Sequence, residues 1–329
     1  MIARFEWTNV RSVQDALAQL DENAVLKAGG VDLIDRLKEG LDSPSRLVNI
    51  RTISGLDYIK EDSGWLRIGP LVTLATIADH PMIRERYTAL ADAALHAATP
   101  QIRNMATIGG NLLQRPRCCY FRSEQFHCLR KGGDRCFAQD GENDYHAIFD
   151  NQVCAIVHPS AAACALTAFD AKLEIQGKKG VRETALDGFF LSPEQDITRE
   201  HSLAPDEILT EIRVPIPLPG TRSAYTKVAQ KESFDWPLAE VAVVLERRGD
   251  VVSKASIVMG AAAPIPWRAK AAEAALAGKR LNEDNARAAA KAAIGGATPL
   301  SENAYKLPIF ETVVRRTILA AGNVEARNA

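Results

Sequence analysis

LKAGGVDLI, residues 26–34, joins a short apolar run to a Gly-Gly pair and then to a stretch with helical spacing. Residues 24–28 suit a buried strand, Gly29-Gly30 breaks it, and a helix is expected from about Leu33 with Asp32 as its N-cap. Glycine has no Cβ, so its main-chain N–H groups can close on a phosphate and its φ can turn positive. Successive N–H groups at such a turn form an anion-binding concavity. The pattern is neither a Walker loop nor a GxGxxG fingerprint, and taken alone it is more often an ordinary strand–turn–helix connection.

The flanking sequence keeps to the same grammar. Residues 11–22 place Val13, Ala16, Leu17 and Leu20 on one helical face. Strands are expected at 47–50 and 65–69, a helix at 73–79, and an alanine-rich helix at 87–98 that Pro100 stops. A second glycine pair then appears in NMATIGGNLLQ, residues 104–114. There Thr107 offers a hydroxyl, Gly109 and Gly110 a bare backbone, and Asn111 an amide that tolerates the left-handed region. Two such loops in one α/β unit fit a single dinucleotide diphosphate held from both sides.

Composition sets the outer bounds. The 329 residues carry 40 basic and 41 acidic side chains, a net charge of −1, so nothing in the balance steers toward nucleic acid or an anionic membrane, both of which need a pronounced basic face. The N-terminus lacks the apolar core of a secretory signal, and no apolar run reaches the roughly 20 residues of a membrane span. A cytoplasmic location is expected, with export as passenger on a partner's twin-arginine signal left open. No Ser-His-Asp arrangement, hydrolytic metal motif or carboxylate pair is found, so no catalytic side chain is assigned and the chemistry must come from cofactors.

Residues 115–153 resist assignment to helix or strand, and so long an irregular segment inside a compact domain asks for a functional cause. The segment holds Cys118, Cys119, Cys128 and Cys136, and Cys154 follows directly, in a chain with six cysteines. Four thiolates complete the ligand set of a [4Fe-4S] cluster. Zinc could use the same four, but zinc knuckles favour CxxC pairs, and the successive spacings Cys118–Cys128, Cys128–Cys136 and Cys136–Cys154 are ten, eight and eighteen. Cys164 sits in an apolar helix and reads as a small buried hydrophobe. Arg103, Arg115, Arg117, Arg122, Arg130 and Arg135 read first as a solvated face, or as charges offsetting a thiolate cluster. His80, His96, His146 and His201 read as surface or capping residues, and Trp236 as interdomain core.

Beyond the loop, a helix is expected at 163–169 and strands at 172–176 and 208–214. The run PIPLPG, 215–220, breaks regular structure and is taken as a domain boundary. After it come strands at 223–230, 239–247 and 254–259 and helices at 269–277, 282–294 and 305–323. Strands followed by helices indicate an α+β domain.

Five segments in order carry a specific resemblance: AGGVDL (28–33), IRNMATIGGNL (102–112), HPS (158–160), DEILTEIRVP (206–215) and YTKVAQKESFDWPLAEVAVVL (225–245). Together they resemble the FAD-binding medium subunit of molybdenum hydroxylases, the family of xanthine dehydrogenase and carbon monoxide dehydrogenase. The resemblance implies an α+β chain. A two-subdomain vanillyl-alcohol-oxidase or PCMH-type FAD-binding domain would span 1–217, with an inserted loop over about 115–155. A smaller domain like the C-terminal one of carbon monoxide dehydrogenase flavoproteins would span 220–326. Leu26, Lys27, Ala28, Gly29, Gly30, Val31, Asp32, Leu33 and Ile34 would wrap the FAD diphosphate and adenosine. Thr107, Gly109, Gly110 and Asn111 would meet it from the second subdomain, His158 and Ser160 would line the same cleft, Ile208 or Leu209 would pack near a ring, and Lys227 would sit at the flavin's polar edge. The family's HPSD is HPSA here, so Ala161 stands where a carboxylate toward the FAD sugar chain is expected.

The inserted loop, with RCCYFR (117–122), HC (127–128), RC (135–136) and VC (153–154), resembles the [4Fe-4S] loop of two subfamilies. These are the flavin subunit of bacterial periplasmic aldehyde oxidoreductase, which fits better, and the beta subunit of 4-hydroxybenzoyl-CoA reductase. The resemblance places ligands at Cys118, Cys128, Cys136 and Cys154, with Cys119 spare. It implies a heterotrimer with a molybdopterin-binding large subunit and a [2Fe-2S] small subunit, passing electrons through FAD to an external acceptor. The rival readings are a stand-alone flavin or iron–sulfur carrier, and a non-redox nucleotide-binding protein with structural zinc.

Overall fold

A computed structural model describes residues 2–231 and 234–323. Three sheets follow one another along the chain. The first is parallel, in the order β1 (Glu6–Asn9), β3 (Arg46–Asn49), β2 (Ala24–Lys27), with helix α1 (Val13–Gln19) and helix α2 (Val31–Lys38) as its crossovers. Ser12 caps α1 by accepting the Asp15 N–H at 3.0 Å. Helix α2 starts earlier than expected: Gly30, at φ +83°, is the N-cap, and Asp32 lies inside the first turn. A left-handed residue ends β2 abruptly, and glycine holds that conformation without steric cost.

The second sheet is antiparallel, with β4 (Ile59–Asp62), β5 (Trp65–Ile68), β6 (Lys172–Gly177), β7 (Gly180–Ala185) and β8 (Glu207–Pro215) in the order β4-β5-β8-β6-β7. Between β5 and β6 run α3 (Leu74–Asp79), α4 (Pro81–Arg86), α5 (Thr88–Leu95), α6 (Pro100–Met105), α7 (Ile108–Leu112), α8 (Cys119–Arg122) and α9 (Ala161–Ala168). The alanine-rich helix ends at Leu95, ahead of Pro100, which instead opens α6, where a missing N–H costs nothing. The second glycine pair lies in the first turn of α7, capped by Thr107, rather than in an open turn.

The third sheet, β9 (Arg222–Ala229), β10 (Pro237–Arg248), β11 (Val251–Gly260) and β12 (Trp267–Arg268), is antiparallel in the order β12-β11-β10-β9. It is backed by α10 (Lys270–Leu276), α11 (Glu283–Ala293) and α12 (Lys306–Ala321). Strand β10 is buried on both faces. Ala239, Val241, Val243 and Leu245 enter the core beneath the C-terminal helices, while Ala242 enters the core of the second sheet, as a period of two dictates. Helix α9, AAACALTA, is buried on every side, because small side chains let it pack closely on β10 and β11. That seam fixes the C-terminal unit against the rest. Residues 324–326 of the expected second domain lie outside the described residues. Among those described, no helix is long and apolar enough to cross a membrane.

Segment 115–155 is a wedge between these units. Its return leg hydrogen-bonds to the end of the third sheet: Ile148 and Phe149 N–H donate to Ala262 O, and His158 N–H to Ala263 O. Phe149 stacks on Trp267 with centroids 4.6 Å apart. Lys306, fully buried, donates to His146 O at 3.0 Å and Ala261 O at 2.6 Å. Burial pushes its amine from 10.5 down to about 7. Between those values the unfolded chain holds a proton that the folded chain lacks, so stability rises with pH across the window and this contribution is gone below about 7. Lys306→Met should therefore flatten the rise of Tm between pH 7 and 9. It should also lower Tm at every pH, because two buried carbonyls lose their donor.

Candidate functional site

The turn after β2 and the start of α7 meet face to face. A Cβ on Gly29 would lie 2.1 Å from Met105 O, and one on Gly109 would lie 2.8 Å from Pro70 Cβ. Only glycine allows this approach. Gly110 differs: an added Cβ there would meet only Thr107 Oγ1, at 3.1 Å, and would otherwise project into the space between the loops. That space is a cleft of about 360 Å³.

The expected residues divide at this cleft. Leu26, Ala28, Gly29, Gly30, Val31, Asp32 and Leu33 line one wall, Thr107, Gly109, Gly110 and Asn111 the other, with Ile208, Leu209 and Lys227 completing it. Lys27 and Ile34 are not in the wall, and the Lys27 ammonium lies 5.4 Å from the Trp7 ring centroid instead. His158 and Ser160 do not line the cleft either; they stand behind it. Ser160 Oγ donates to Asn111 Oδ1 at 2.7 Å and accepts the Ala163 N–H at 3.0 Å, while Ser160 N–H donates to His158 Nδ1 at 3.3 Å. Burial pushes His158 down to about 3, which keeps its ring neutral and Nδ1 an acceptor. These two residues orient Asn111 from behind.

Lys227 donates to His96 O and Asp235 O, which leaves it one N–H for a ligand, and burial lowers its amine. Glu240 is a lining residue that the sequence reading missed, and Trp236 is one that it weighed for the flavin but assigned to the core. Glu240 is buried, its carboxyl pushed up by burial, and it accepts the Tyr225 hydroxyl. Trp236, expected in the core, is 46% exposed at the cleft with the Arg117 guanidinium 5.0 Å from its ring centroid. Ala161 also lines the cleft, at the start of α9.

Four thiols, those of Cys118, Cys128, Cys136 and Cys154, line a second, smaller cavity with Tyr120, Phe121, Leu129, Arg130, Phe137, Ala138 and Ile156. Cys119 is exposed, and Cys164 is buried in α9 where its Sγ lies 3.1 Å from Val258 O. Cys154 is pulled down to about 6 by its hydrogen bond with Cys136 and by the Arg130 cation, against burial; Cys136 moves up correspondingly. Among the described residues, no group of three or more His, Cys, Asp or Glu side chains is drawn together tightly enough for one metal ion. Two of the four histidines correct the sequence reading, whereas His80 and His96 stand at helix caps as expected. His201 is stacked on Phe189, and His146 is buried with Nε2 3.2 Å from Cys118 Sγ. Burial, with Lys306 alongside, pushes His146 down to about 4, so the ring is neutral.

The two cavities are joined by charge. Asp32 Oδ1 accepts from Arg122 at 2.7 Å and Arg117 at 2.9 Å, while Oδ2 accepts the Arg115 N–H at 3.1 Å and lies 3.4 Å from Arg36. Arg122 also reaches Glu39, and Glu200 binds both Arg115 and Arg130. Arg115, Arg117, Arg122 and Arg130 are therefore internal clamps, not the solvated face expected of them, while Arg135 is exposed. Arg117 lines the cleft and Cys118 the thiol cavity, so neighbouring residues serve both.

The fold and the cleft define an FAD-binding subunit of an oxidoreductase. Residues 3–217 match the family described as the FAD binding domain in molybdopterin dehydrogenase, and residues 223–321 match the CO dehydrogenase flavoprotein C-terminal domain. The chain belongs to the FAD-binding medium subunits of the molybdenum hydroxylase family. It is 33% identical over 326 residues to the aldehyde oxidoreductase FAD-binding subunit PaoB of Escherichia coli (strain K12), covering 98% of each chain. It is 30% identical over 325 residues to the carbon monoxide dehydrogenase medium chain of Hydrogenophaga pseudoflava, covering 97% of each. The solved carbon monoxide dehydrogenase from that organism superposes with a TM-score of 0.78 at 31% identity, over 98% of this chain and 99% of the other. The α+β architecture expected from the sequence is the one found. FAD fits the cleft on its geometry: two glycine backbones face each other across a space that Gly110 leaves unfilled.

Proposed function

We propose that this chain is the FAD- and [4Fe-4S]-binding electron-transfer subunit of a heterotrimeric molybdenum hydroxylase that oxidises aldehydes. The observation that carries the cluster is the convergence of Cys118, Cys128, Cys136 and Cys154, far apart in sequence, on one cavity adjoining the flavin cleft. Four thiols around one cavity match the ligand set of an iron–sulfur cluster, and their spacing in sequence lacks the CxxC pairs that zinc knuckles favour. Bound FAD supplies electron exchange with an external acceptor, and the cluster supplies one-electron exchange. The protein's part is to hold both: the glycine walls and Lys227 present donors to the cofactor, and Tyr120, Phe121 and Phe137 keep water from the thiolates.

Likeness to an aldehyde oxidoreductase subunit supports the aldehyde substrate. Likeness to a medium chain supports partners, a molybdopterin-binding large subunit and a [2Fe-2S] small subunit. The complex purified with those partners should reduce a dye in the presence of an aldehyde; a complex inert to aldehydes would overturn the substrate assignment. Cys128→Ser should lose iron while Cys164→Ser keeps it. Equal iron in the two variants would contradict the ligand set.

A further inference from the structure

Two buried donors in the thiol cavity have no task in holding the flavin. Arg130 is 4% exposed, and only its Nη1 is spent, on Glu200 at 2.8 Å; Nε and Nη2 have no hydrogen-bond partner among the described residues. A guanidinium retains its charge at any ordinary pH, and the three N–H groups on two idle nitrogens in a dry wall are costly unless something accepts from them. Glu200 does not neutralise it, because the same carboxylate also holds Arg115 through Nε and Nη2, so the triad keeps a net positive charge. His146 stands at Cys118. Its Nδ1 is buried without a partner among the described residues, while Nε2 lies 3.2 Å from Cys118 Sγ. A proton on Nδ1 would point at nothing, and a metal-bound thiolate cannot donate. The proton therefore belongs on Nε2, directed at the sulfur.

We infer that His146 and Arg130 are positioning residues that raise the reduction potential of the cluster held by the four cysteines, His146 through a hydrogen bond to Cys118 and Arg130 through a buried charge beside Cys154. The inference rests on the four-thiolate reading above. Reduction adds one electron, and hence one negative charge, to the cavity. A donor to sulfur and a fixed cation both stabilise that charge more in the reduced state than in the oxidised one. Neither residue supplies a ligand, so iron should survive their loss.

The test is an EPR-monitored titration of the full chain with dithionite, with iron and sulfide measured on each sample. His146→Phe and Arg130→Gln should retain iron and each lower the midpoint by about 59 mV, a tenfold shift in the one-electron equilibrium. His146→Gln, which keeps a donor, and Arg130→Lys, which keeps the charge, should stay near the parent value. Midpoints unchanged in His146→Phe and Arg130→Gln at full iron would overturn the inference. So would iron lost alike from the conservative and disruptive variants, since the pair would then be holding the loop. A parent chain without iron would instead sink the four-thiolate reading, a different result.

Discussion

Gly29→Ala should abolish FAD binding and lower the melting temperature as well. The added Cβ would stand 2.1 Å from Met105 O, 3.1 Å from Met105 C and 3.3 Å from Ala106 Cα, all backbone atoms at the end of α6. No rotamer relieves a backbone contact, so the two glycine walls must separate by about 1 Å or more, in a range where overpacking costs about 1–3 kcal/mol. Gly110→Ala provides the contrast. Its Cβ meets only Thr107 Oγ1 and otherwise occupies the cleft, so flavin content should fall while the melt of the flavin-free chain stays at the parent value. Flavin absorbance per chain and a thermal melt read both effects. Full flavin at parental Tm in Gly29→Ala would contradict the arrangement of the walls.

Asp32→Ala should be the most damaging change among the charged residues of the cleft wall. Its carboxylate is 13% exposed and is surrounded by Arg36, Arg117 and Arg122. Burial alone would raise its pKa, but the arginines win and hold it below the ordinary carboxylate value. Removing one partner of a buried ion pair costs about 3–5 kcal/mol, because the remaining charges stay buried. For a unit this large that is roughly 10 °C in Tm. Two of the three arginines belong to the cysteine loop, so iron content should fall together with flavin although Asp32 touches no thiol. The sign of the pH effect follows from the lowered value. Asp32 contributes stability above the ordinary carboxylate pKa and loses it as pH falls through the folded one, so Asp32→Asn should be less acid-sensitive than its parent. Iron and flavin at parental levels in Asp32→Ala would show that the loop is anchored elsewhere.

Much of the fold was legible because it repeats simple signals. Strand–glycine–helix punctuation marked β2 and α2, and the proline-rich run 215–220 marked the connection to β9. The elements that escaped have physical reasons to be silent. Strand β7 reads GVRETA at a sheet edge, where one face and one side are wet and polar residues erase the alternation. Strand β1, EWTN, is four residues long and mostly exposed. Asp32 looked like an N-cap because spacing reveals helix starts but not the two guanidiniums, of Arg117 and Arg122, that arrive from over 80 residues away. His146 was illegible for the same reason. Its partner Cys118 is 28 residues distant, and nothing in YHAIF separates a surface imidazole from one directed at sulfur. Ser160 and His158 were found by resemblance, yet their place behind Asn111 depends on the packing of α9. Sequence context set Cys164 apart and the resemblance chose Cys118 over Cys119, and the cavity collects the remaining four.

The most direct test of the account is the cofactor content of the purified full chain, from its absorbance together with assays of iron, acid-labile sulfide and zinc. The account predicts flavin bands over a broad iron–sulfur shoulder, with about four iron and four sulfide per flavin and no stoichiometric zinc. A colourless chain carrying one zinc, or a flavin without iron, would contradict it.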